Sequence, residues 1–387
     1  MEKINRVFLI VLDSVGIGGA SDARYFGDEN PNTLKTIAAS EKFYTPNLAQ
    51  LGLFNIDGIN FYQREENPLG SFARVVEASV GKDTTIGHWE IAGIISERPL
   101  PTYPDGFPPE IISELEKNFG RKILCNKPYS GTQVIHDFGQ AHEATGDLIV
   151  YTSADSVLQI AAHENIVSVD ELYNFCRIAR EISDVGRIIA RPFVGKFPNY
   201  ERTPRRHDFS LKPPKKTILD ALNEKNLATI AVGKIFDIFA GQGINRSLGI
   251  NENNSDGMKK TLKLAEEDFQ GLCFVNLVDF DMKFGHRRDI DVYAQSMTTF
   301  DMELGKFLSK MRDDDLLMIT ADHGCDPAAK GTDHTRENVP LIVYGKQIRA
   351  GFNFGTLKTF ADIAATIAEI FSVKLKTNGK SFLNQLK

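Results

Sequence analysis

The sequence is poor in cysteine, lacks an excess of positive charge and contains no long hydrophobic run. Its 387 residues include only four cysteines, without paired spacing, at positions 125, 176, 273 and 325. This usage is typical of a reducing compartment, so we expect a cytoplasmic protein. Because the formal net charge at pH 7 is −6, we expect neither nucleic acid nor an anionic membrane surface as a partner.

No apolar run approaches the roughly 20 residues that a helix needs to span a bilayer. The amino terminus, MEKINRVFLIVL, resembles a secretory signal because a basic start precedes an apolar stretch. Asp13 ends that stretch after only six apolar residues, and no cleavage site of small residues follows. The segment therefore predicts a first strand and not a signal peptide.

The chain is longer than one hydrophobic core usually requires, so two domains or one domain with an insertion are expected. Two proline-rich segments, 96–109 and 210–217, are typical of stiff connections between compact units. Candidate site residues occur on both sides of the part between them. We therefore predict a discontinuous core, formed by residues 1–97 and 214–387, with residues 98–213 inserted as a smaller domain.

Short apolar runs rich in β-branched residues end at acidic positions, as strands of a parallel sheet covered on both faces do. These runs are 7–13, 273–281 and 316–323. Amphipathic segments between or near the apolar runs predict helices, at 168–182, 258–269, 291–315 and 360–371. The alternation of strands and helices predicts an α/β fold with a central, mostly parallel sheet.

Six potential metal ligands follow these runs, namely Asp13, Asp281, His286, Asp322, His323 and His334. Ligands in such sheets gather beyond the carboxyl ends of the strands. Three carboxylates and three imidazoles suit divalent ions such as Mn²⁺, and two ions would leave a net positive centre that attracts phosphate. Each residue alone could be a helix cap or a surface residue, but their close spacing favours a two-metal catalytic centre.

The segment G-K-D-T-T-I-G-H-W-E, residues 81–90, places two threonines at a predicted helix start. Free backbone amides and the helix dipole favour an anion there. A threonine hydroxyl is a poor nucleophile unless it is activated, and coordination to a metal is one way to activate it. The alternative is that Asp83 or Thr84 only caps the helix.

Together these motifs resemble those of the phosphopentomutase family, which belongs to the alkaline phosphatase superfamily. The matching segments are V-x-D-S-V-G-I-G, G-K-D-T before G-H-W-E, V-D-F-D-x-x-F-G-H-R-R-D, T-A-D-H-G and G-T-D-H-T-R-E. The resemblance covers essentially the whole chain. It implies an alkaline-phosphatase-like layered core and an inserted α/β cap domain that binds substrate.

The resemblance also implies two Mn²⁺ ions, with a phosphorylated threonine between them. The implied ligands are Asp281, His286 and His334 for one ion, and Asp13, Asp322 and His323 for the other. Thr84 is the implied nucleophile instead of Thr85, because the phosphorylated threonine of the family directly follows the aspartate of K-D-T. The family usually has a further threonine where this chain has Ile86, so one hydroxyl near the site is in doubt.

Five further residues would contact the substrate if the resemblance holds. Ser153, Asp155, Arg187 and Arg202 lie in the insert, and Lys234 lies in the core. Asp155 would meet sugar hydroxyls, and the two arginines would bind the distal phosphate through their forked guanidinium groups. The alternative for each is a solvated surface residue, and segment 202–207 could be a solvated loop.

The implied activity is the interconversion of ribose 1-phosphate and ribose 5-phosphate, and of the 2-deoxy analogues, through a phosphothreonine and a bisphosphate intermediate. A sugar bisphosphate would activate the enzyme, and no protein partner is predicted. The alternatives are a metal-dependent phosphatase or phosphodiesterase, a phosphoglycerate mutase with a serine nucleophile, and a non-catalytic sugar-phosphate-binding protein. Thr84 and the D-H-T-R-E segment argue against the phosphoglycerate mutase.

Overall fold

The computed structural model describes residues 3–153 and 155–386. The chain divides into two compact units, one formed by the residues up to Pro99 and from Pro213 onward, the other by Leu100–Lys212. We call them the core unit and the insert unit. The sequence placed the boundaries at 97/98 and 213/214, and the structure divides at 99/100 and 212/213.

The strands of the described residues belong to two sheets. In chain order they are β1 (Arg6–Leu12), β2 (Ser71–Val75), β3 (Ile123–Pro128), β4 (Leu148–Thr152), β5 (Val157–His163), β6 (Arg187–Lys196), β7 (Asn199–Arg202), β8 (His207–Ser210), β9 (Ala228–Val232), β10 (Arg246–Ser247), β11 (Gly271–Leu277), β12 (Asp315–Thr320), β13 (Val339–Tyr344) and β14 (Asn353–Leu357).

The α-helices pack around these sheets. They are α1 (Thr33–Ala38), α2 (Pro46–Gln50), α3 (Thr84–Ile91), α4 (Pro109–Phe119), α5 (Gln133–Thr145), α6 (Val169–Ile182), α7 (Ile218–Asn223), α8 (Ile235–Ile238), α9 (Asn254–Glu266), α10 (Ile290–Lys310) and α11 (Ala361–Ile370). A turn of π-helix spans Phe280–Gly285. No helix in the described part of the chain is both long and apolar enough to cross a membrane.

The core unit is built on an eight-stranded sheet with the order β10-β9-β11-β1-β12-β13-β2-β14. Neighbouring strands are parallel except where β13 pairs with β12 and with β2. Strands β1, β11 and β12 are buried along their whole length, because other elements cover both faces of the sheet. The predicted α/β class with a mostly parallel sheet is confirmed.

The insert unit has its own six-stranded mixed sheet, in which β3, β4, β5, β6 and β7 are consecutive neighbours and β8 also pairs with β6. Alternate strand residues face opposite sides. Leu148 and Val150 pack with Leu172 of α6 on one face, whereas Ile149 and Tyr151 pack with α5 on the other. The insert unit is therefore α/β in its own right, with apolar clusters on both faces of its sheet.

Three predicted element boundaries were wrong by four or five residues. The strand predicted over 273–281 ends at Leu277, and the chain then enters the turn of π-helix. Helix α10 ends at Lys310 instead of 315, since three consecutive aspartates are unfavourable at the negative end of a helix dipole. Helix α9 begins at Asn254, four residues before the predicted start, because Asn253 caps it by accepting a hydrogen bond from the amide of Asp256.

Candidate active site

Two neighbouring strands deliver the first group of ligands to one edge of the core sheet. Asp13 follows β1, and Asp322 with His323 follows β12. The two strands pair in parallel, with Val11 opposite Thr320, so the residues after them lie side by side. All three side chains are buried, and their potential ligand atoms lie within 4.8 Å of one another.

The second group, Asp281, His286 and His334, also has its ligand atoms within 4.8 Å of one another. The turn of π-helix brings two of them together, because the His286 amide donates to the Asp281 carbonyl at 3.1 Å. The Asp281 carboxylate then lies 3.3 Å from His286 Nε2 and 3.2 Å from His334 Nε2. The His323 and His334 rings stack with centroids 3.9 Å apart, so the two groups adjoin.

Each histidine of the two groups presents Nε2 to the carboxylates because its other ring nitrogen faces a backbone carbonyl. Nδ1 lies 2.6 Å from the Thr332 oxygen in His286 and 2.8 Å from the Lys82 oxygen in His334. In His323 it lies 3.0 Å from the Gly324 oxygen. Metal-bound histidines are oriented by such contacts, which fix the tautomer and leave Nε2 free to bind a metal.

The carboxylates of both groups fit divalent cations. Among the residues that the structure describes, Asp13 Oδ1, Asp281 Oδ1 and Asp322 Oδ2 are buried without a hydrogen-bond partner. Leaving a buried charged oxygen without a partner is costly, and a bound cation removes that cost. Burial, with the nearby Asp322 and Asp281 carboxylates, raises the pKa of Asp13 to about 7. Oxygen and imidazole donors together suit Mn²⁺ or Zn²⁺.

Thr84 begins helix α3 beside the first group. Its hydroxyl oxygen lies 3.1 Å from His323 Nε2. Asp83 is the N-cap, and its side chain accepts a hydrogen bond from the Ile86 amide at 3.1 Å. Asp83 is therefore a helix cap, which is one of the two interpretations that the sequence allowed. The hydroxyl of Thr84 contacts His323 of the first ligand group. Ile86, where the family usually has threonine, is buried.

Helix α3 approaches the end of β12 very closely at Gly87. A Cβ atom added there would lie 2.3 Å from the Asp322 carbonyl oxygen and 2.9 Å from the Asp322 Cβ. Any side chain at this position would push the helix away from the ligand groups. The glycine therefore allows the Thr84 hydroxyl to reach His323.

The segment before Thr84 is held by the strand-like residues around His334. The Lys82 carbonyl faces His334 Nδ1. The buried Arg336 guanidinium donates to the carbonyl of Gly81 at 2.6 Å and to the Glu77 carboxylate at 2.5 Å. The carbonyls of Gly81 and Lys82, just before α3, are thus both held by the segment that contains His334 and Arg336.

The predicted substrate-binding residues lie in both units. In the insert unit, the Ser153 hydroxyl accepts from the Asp155 amide at 3.3 Å. Arg187 lies 3.6 Å from the Asp155 carboxylate and 3.8 Å from that of Asp208, and Arg202 ends β7 with its side chain exposed. The sequence did not reveal that two carboxylates lie within 4 Å of the Arg187 guanidinium. In the core unit, Lys234 immediately precedes α8.

A family model described as the metalloenzyme superfamily matches residues 5–375. A curated phosphopentomutase from Lachnoclostridium phytofermentans is 57% identical, with 99% of each chain covered. This chain belongs to the phosphopentomutase family. A second phosphopentomutase, from Acetivibrio thermocellus, is 52% identical over 99% of this chain and 100% of its own. The protein is thus a metal-dependent enzyme of the isomerase class.

Among solved structures, the chain is similar to the PH0037 protein from Pyrococcus horikoshii, with a TM-score of 0.50 at 13% identity. The match covers 98% of this chain and 100% of the other. At that identity the likeness concerns the fold alone.

Sequence reasoning gave no role to two residues that contact the candidate site, His88 and Asn276. His88 lies in the G-H-W-E segment, but nothing in the sequence indicates what it touches. Asn276 carries a visible signal, because it is a polar residue inside the otherwise apolar strand β11. A buried amide needs hydrogen-bond partners, and the strand ends at the ligand groups.

Proposed function

We propose that the protein interconverts ribose 1-phosphate and ribose 5-phosphate, and the 2-deoxyribose analogues, by phosphoryl transfer through Thr84. The observation that carries this proposal is the Thr84 hydroxyl, 3.1 Å from His323 Nε2 at the start of α3 and beside two groups of potential metal ligands. The phosphopentomutases that share more than half of this sequence supply the substrate class.

Each ligand group would hold one Mn²⁺ ion, the first group through Asp13, Asp322 and His323 and the second group through Asp281, His286 and His334. Bound there, the two ions supply positive charge that stabilises the transferring phosphoryl group and lowers the pKa of the attacking hydroxyl. The mixed oxygen and nitrogen donors support manganese over magnesium, which favours oxygen alone.

The chain itself positions the reacting groups. The phosphoryl group on Thr84 would sit at the amino terminus of α3, where backbone amides and the helix dipole favour negative charge. Phosphorylated Thr84 would donate its group to the free hydroxyl of the pentose monophosphate, giving a sugar bisphosphate. The bisphosphate then reorients, and Thr84 takes back the other phosphate. A sugar bisphosphate would also phosphorylate Thr84 at the outset.

Five side chains would hold the sugar phosphate, namely Ser153, Asp155, Arg187, Arg202 and Lys234. Arginine binds phosphate oxygens in a bidentate manner. Arg187 has two carboxylates within 4 Å, so a phosphate would compete with them for the guanidinium. Asp155 would thereby be released for the sugar hydroxyls.

Valine substitutions at the two neighbouring threonines test the nucleophile. Thr84→Val removes the hydroxyl while keeping a β-branched side chain, so turnover should fall to background with metal content unchanged. Thr85→Val is the matched control and should retain most of the activity. Phosphopeptide mapping after incubation with ribose 1,5-bisphosphate should find phosphate on Thr84. If turnover survives the Thr84→Val substitution but is lost in Thr85→Val, the nucleophile is Thr85 and our assignment of Thr84 is wrong.

A further inference from the structure

We propose that His88 and Asn276 are positioning residues for the transfer: Asn276 fixes the tautomer of His88, and His88 ties the first turn of α3 to Asp322. The proposal rests on the function proposed for Thr84 and deepens it. It concerns residues that bind neither the substrate nor a metal ion.

The two side chains form one buried chain of contacts. Both are 0% exposed. Asn276 Nδ2 lies 2.7 Å from Asp13 Oδ2 and 3.2 Å from His88 Nε2. On the opposite side of the ring, His88 Nδ1 lies 2.9 Å from the Thr84 carbonyl oxygen and 3.1 Å from Asp322 Oδ2. These polar contacts join strand β11 to helix α3, and the His88 ring also stacks on Phe274 of β11 with the ring centroids 5.9 Å apart.

The donor and acceptor of each contact between these side chains follow from the chemistry of their groups. A carboxylate that binds a cation carries no proton, so Asp13 can only accept, and the amide group that faces it must be the NH₂ of Asn276. The second proton of the same NH₂ then points to His88 Nε2, which must accept it. His88 is therefore neutral with its proton on Nδ1. That proton is directed to the Thr84 carbonyl, with Asp322 Oδ2 beside it.

This arrangement links the nucleophile to the ligand group that it contacts. Asp13 and Asp322 belong to the same group as His323, whose Nε2 meets the Thr84 hydroxyl. His88 follows Thr84 by one helical turn, so its ring holds the Thr84 backbone at a set distance from Asp322. Because a displacement of about 1 Å in a reacting group can cost about 10²-fold in rate, this contact should affect kcat.

Two amide substitutions of His88 distinguish the roles of its nitrogens. Asparagine places its NH₂ near the position of Nδ1, whereas glutamine places it near Nε2. We expect His88→Gln to lower kcat by about 10²-fold with the KM for ribose 5-phosphate unchanged, since the sugar phosphate is held elsewhere. His88→Asn should restore most of kcat. Equal losses in the two variants, or a loss confined to KM, would overturn the proposal.

The tautomer of His88 can be measured directly on the wild-type protein, without a substitution and without an activity assay. Nitrogen NMR of the histidine-labelled, magnesium-loaded protein should show His88 protonated at Nδ1 and not at Nε2. A proton on Nε2, or on both nitrogens, would overturn the assignment even if His88→Gln failed to fold. If the wild-type protein showed the expected tautomer but no isomerase activity, the proposed function would fail while the contact chain stood.

Discussion

Asp13 and Asp322 follow neighbouring parallel strands, and both carboxylates are fully buried. Each has one oxygen held by the protein: Asp13 Oδ2 accepts from Asn276, and Asp322 Oδ1 accepts from the Ser14 amide at 3.1 Å. Among the described residues, the other oxygen of each is not satisfied by a hydrogen bond, although ring nitrogens of His88 and His323 lie 3.1 and 3.2 Å from Asp322 Oδ2. At the scale of single residues, the site is a set of half-satisfied carboxylates, which suits a cation.

The pKa of Asp13 predicts how metal binding depends on pH. Burial, aided by the nearby carboxylates of Asp322 and Asp281, raises this pKa to about 7 in the metal-free protein. Below that pH a proton occupies the carboxylate and competes with the metal. We therefore expect Mn²⁺ affinity to fall as the pH is lowered from about 8 to about 6, by about tenfold per unit below the pKa.

Isothermal titration in buffers of different ionisation enthalpy measures both the affinity and the protons released. The Asp13→Asn variant, which cannot ionise at this position, is the control and should bind metal weakly at every pH. Affinity of the wild-type protein that stays constant across this range would contradict the prediction.

The six potential ligands could be predicted because each stands in a short, distinctive segment at a strand end. The contact between His88 and Asn276 could not, because it joins side chains 188 residues apart in the sequence. Likewise, the pairing of Arg187 with Asp208 depends on β6 and β8 lying next to each other. Sequence patterns identify residues that follow strands, but not the partners that folding gives them.

At the scale of elements, β1 and β12 have interacting polar side chains at both of their ends. Their carboxyl ends carry Asp13 and Asp322, and their starts carry Arg6 and Asp315, which form a buried bidentate ion pair with both distances 2.7 Å. Arg6 also donates to the carbonyl of Ala265 at 3.0 Å, near the end of α9. One side chain thus joins two strands and a helix.

Breaking this ion pair should destabilise the core unit. Arg6→Met leaves the Asp315 carboxylate buried without its partner, and such a loss typically costs about 3–5 kcal/mol. Urea denaturation of the core unit measures the change in the free energy of unfolding. In the double variant Arg6→Met/Asp315→Asn the uncompensated charge is gone, so part of the loss should be recovered. Equal destabilisation of the single and double variants would argue against the electrostatic explanation.

The type of each major element was predictable, but some boundaries and strand directions were not. The apolar run at 273–281 predicts a strand throughout, yet after Leu277 the backbone turns into π-helix. That turn depends on the contact between the His286 amide and the Asp281 carbonyl, which no periodicity reveals. Similarly, the apolar sequence of β13 favours a buried strand but does not reveal that it runs antiparallel to β12, because the sequence of a buried strand is equally apolar in both directions.

At the scale of the whole molecule, the proline-rich segments predict an insert over residues 98–213, and the second compact unit spans Leu100–Lys212. The reason is local: proline disfavours continued helix or strand and suits a connection between compact units. The insert unit has apolar clusters on both faces of its sheet, made by its own helices. Sequence alone could not show that these clusters are complete within residues 100–212.

The insert unit should therefore fold without the rest of the chain. A fragment spanning residues 100–212 should show strand and helix signals in far-ultraviolet circular dichroism and a single cooperative thermal transition. The matched control carries Leu172→Ala, which removes a buried α6 side chain from the larger cluster and should cost about 2–5 kcal/mol. A fragment without a cooperative transition would mean that the insert needs the core unit to fold.

The most direct test of the proposed mutase activity follows both possible fates of the phosphate. Ribose 1-phosphate is incubated with the manganese-loaded protein and a trace of sugar bisphosphate, and ribose 5-phosphate and free phosphate are measured together. Our account predicts ribose 5-phosphate without release of phosphate, because Thr84 passes the group only to a sugar hydroxyl. Free phosphate as the main product, or no turnover of ribose 1-phosphate, would contradict it.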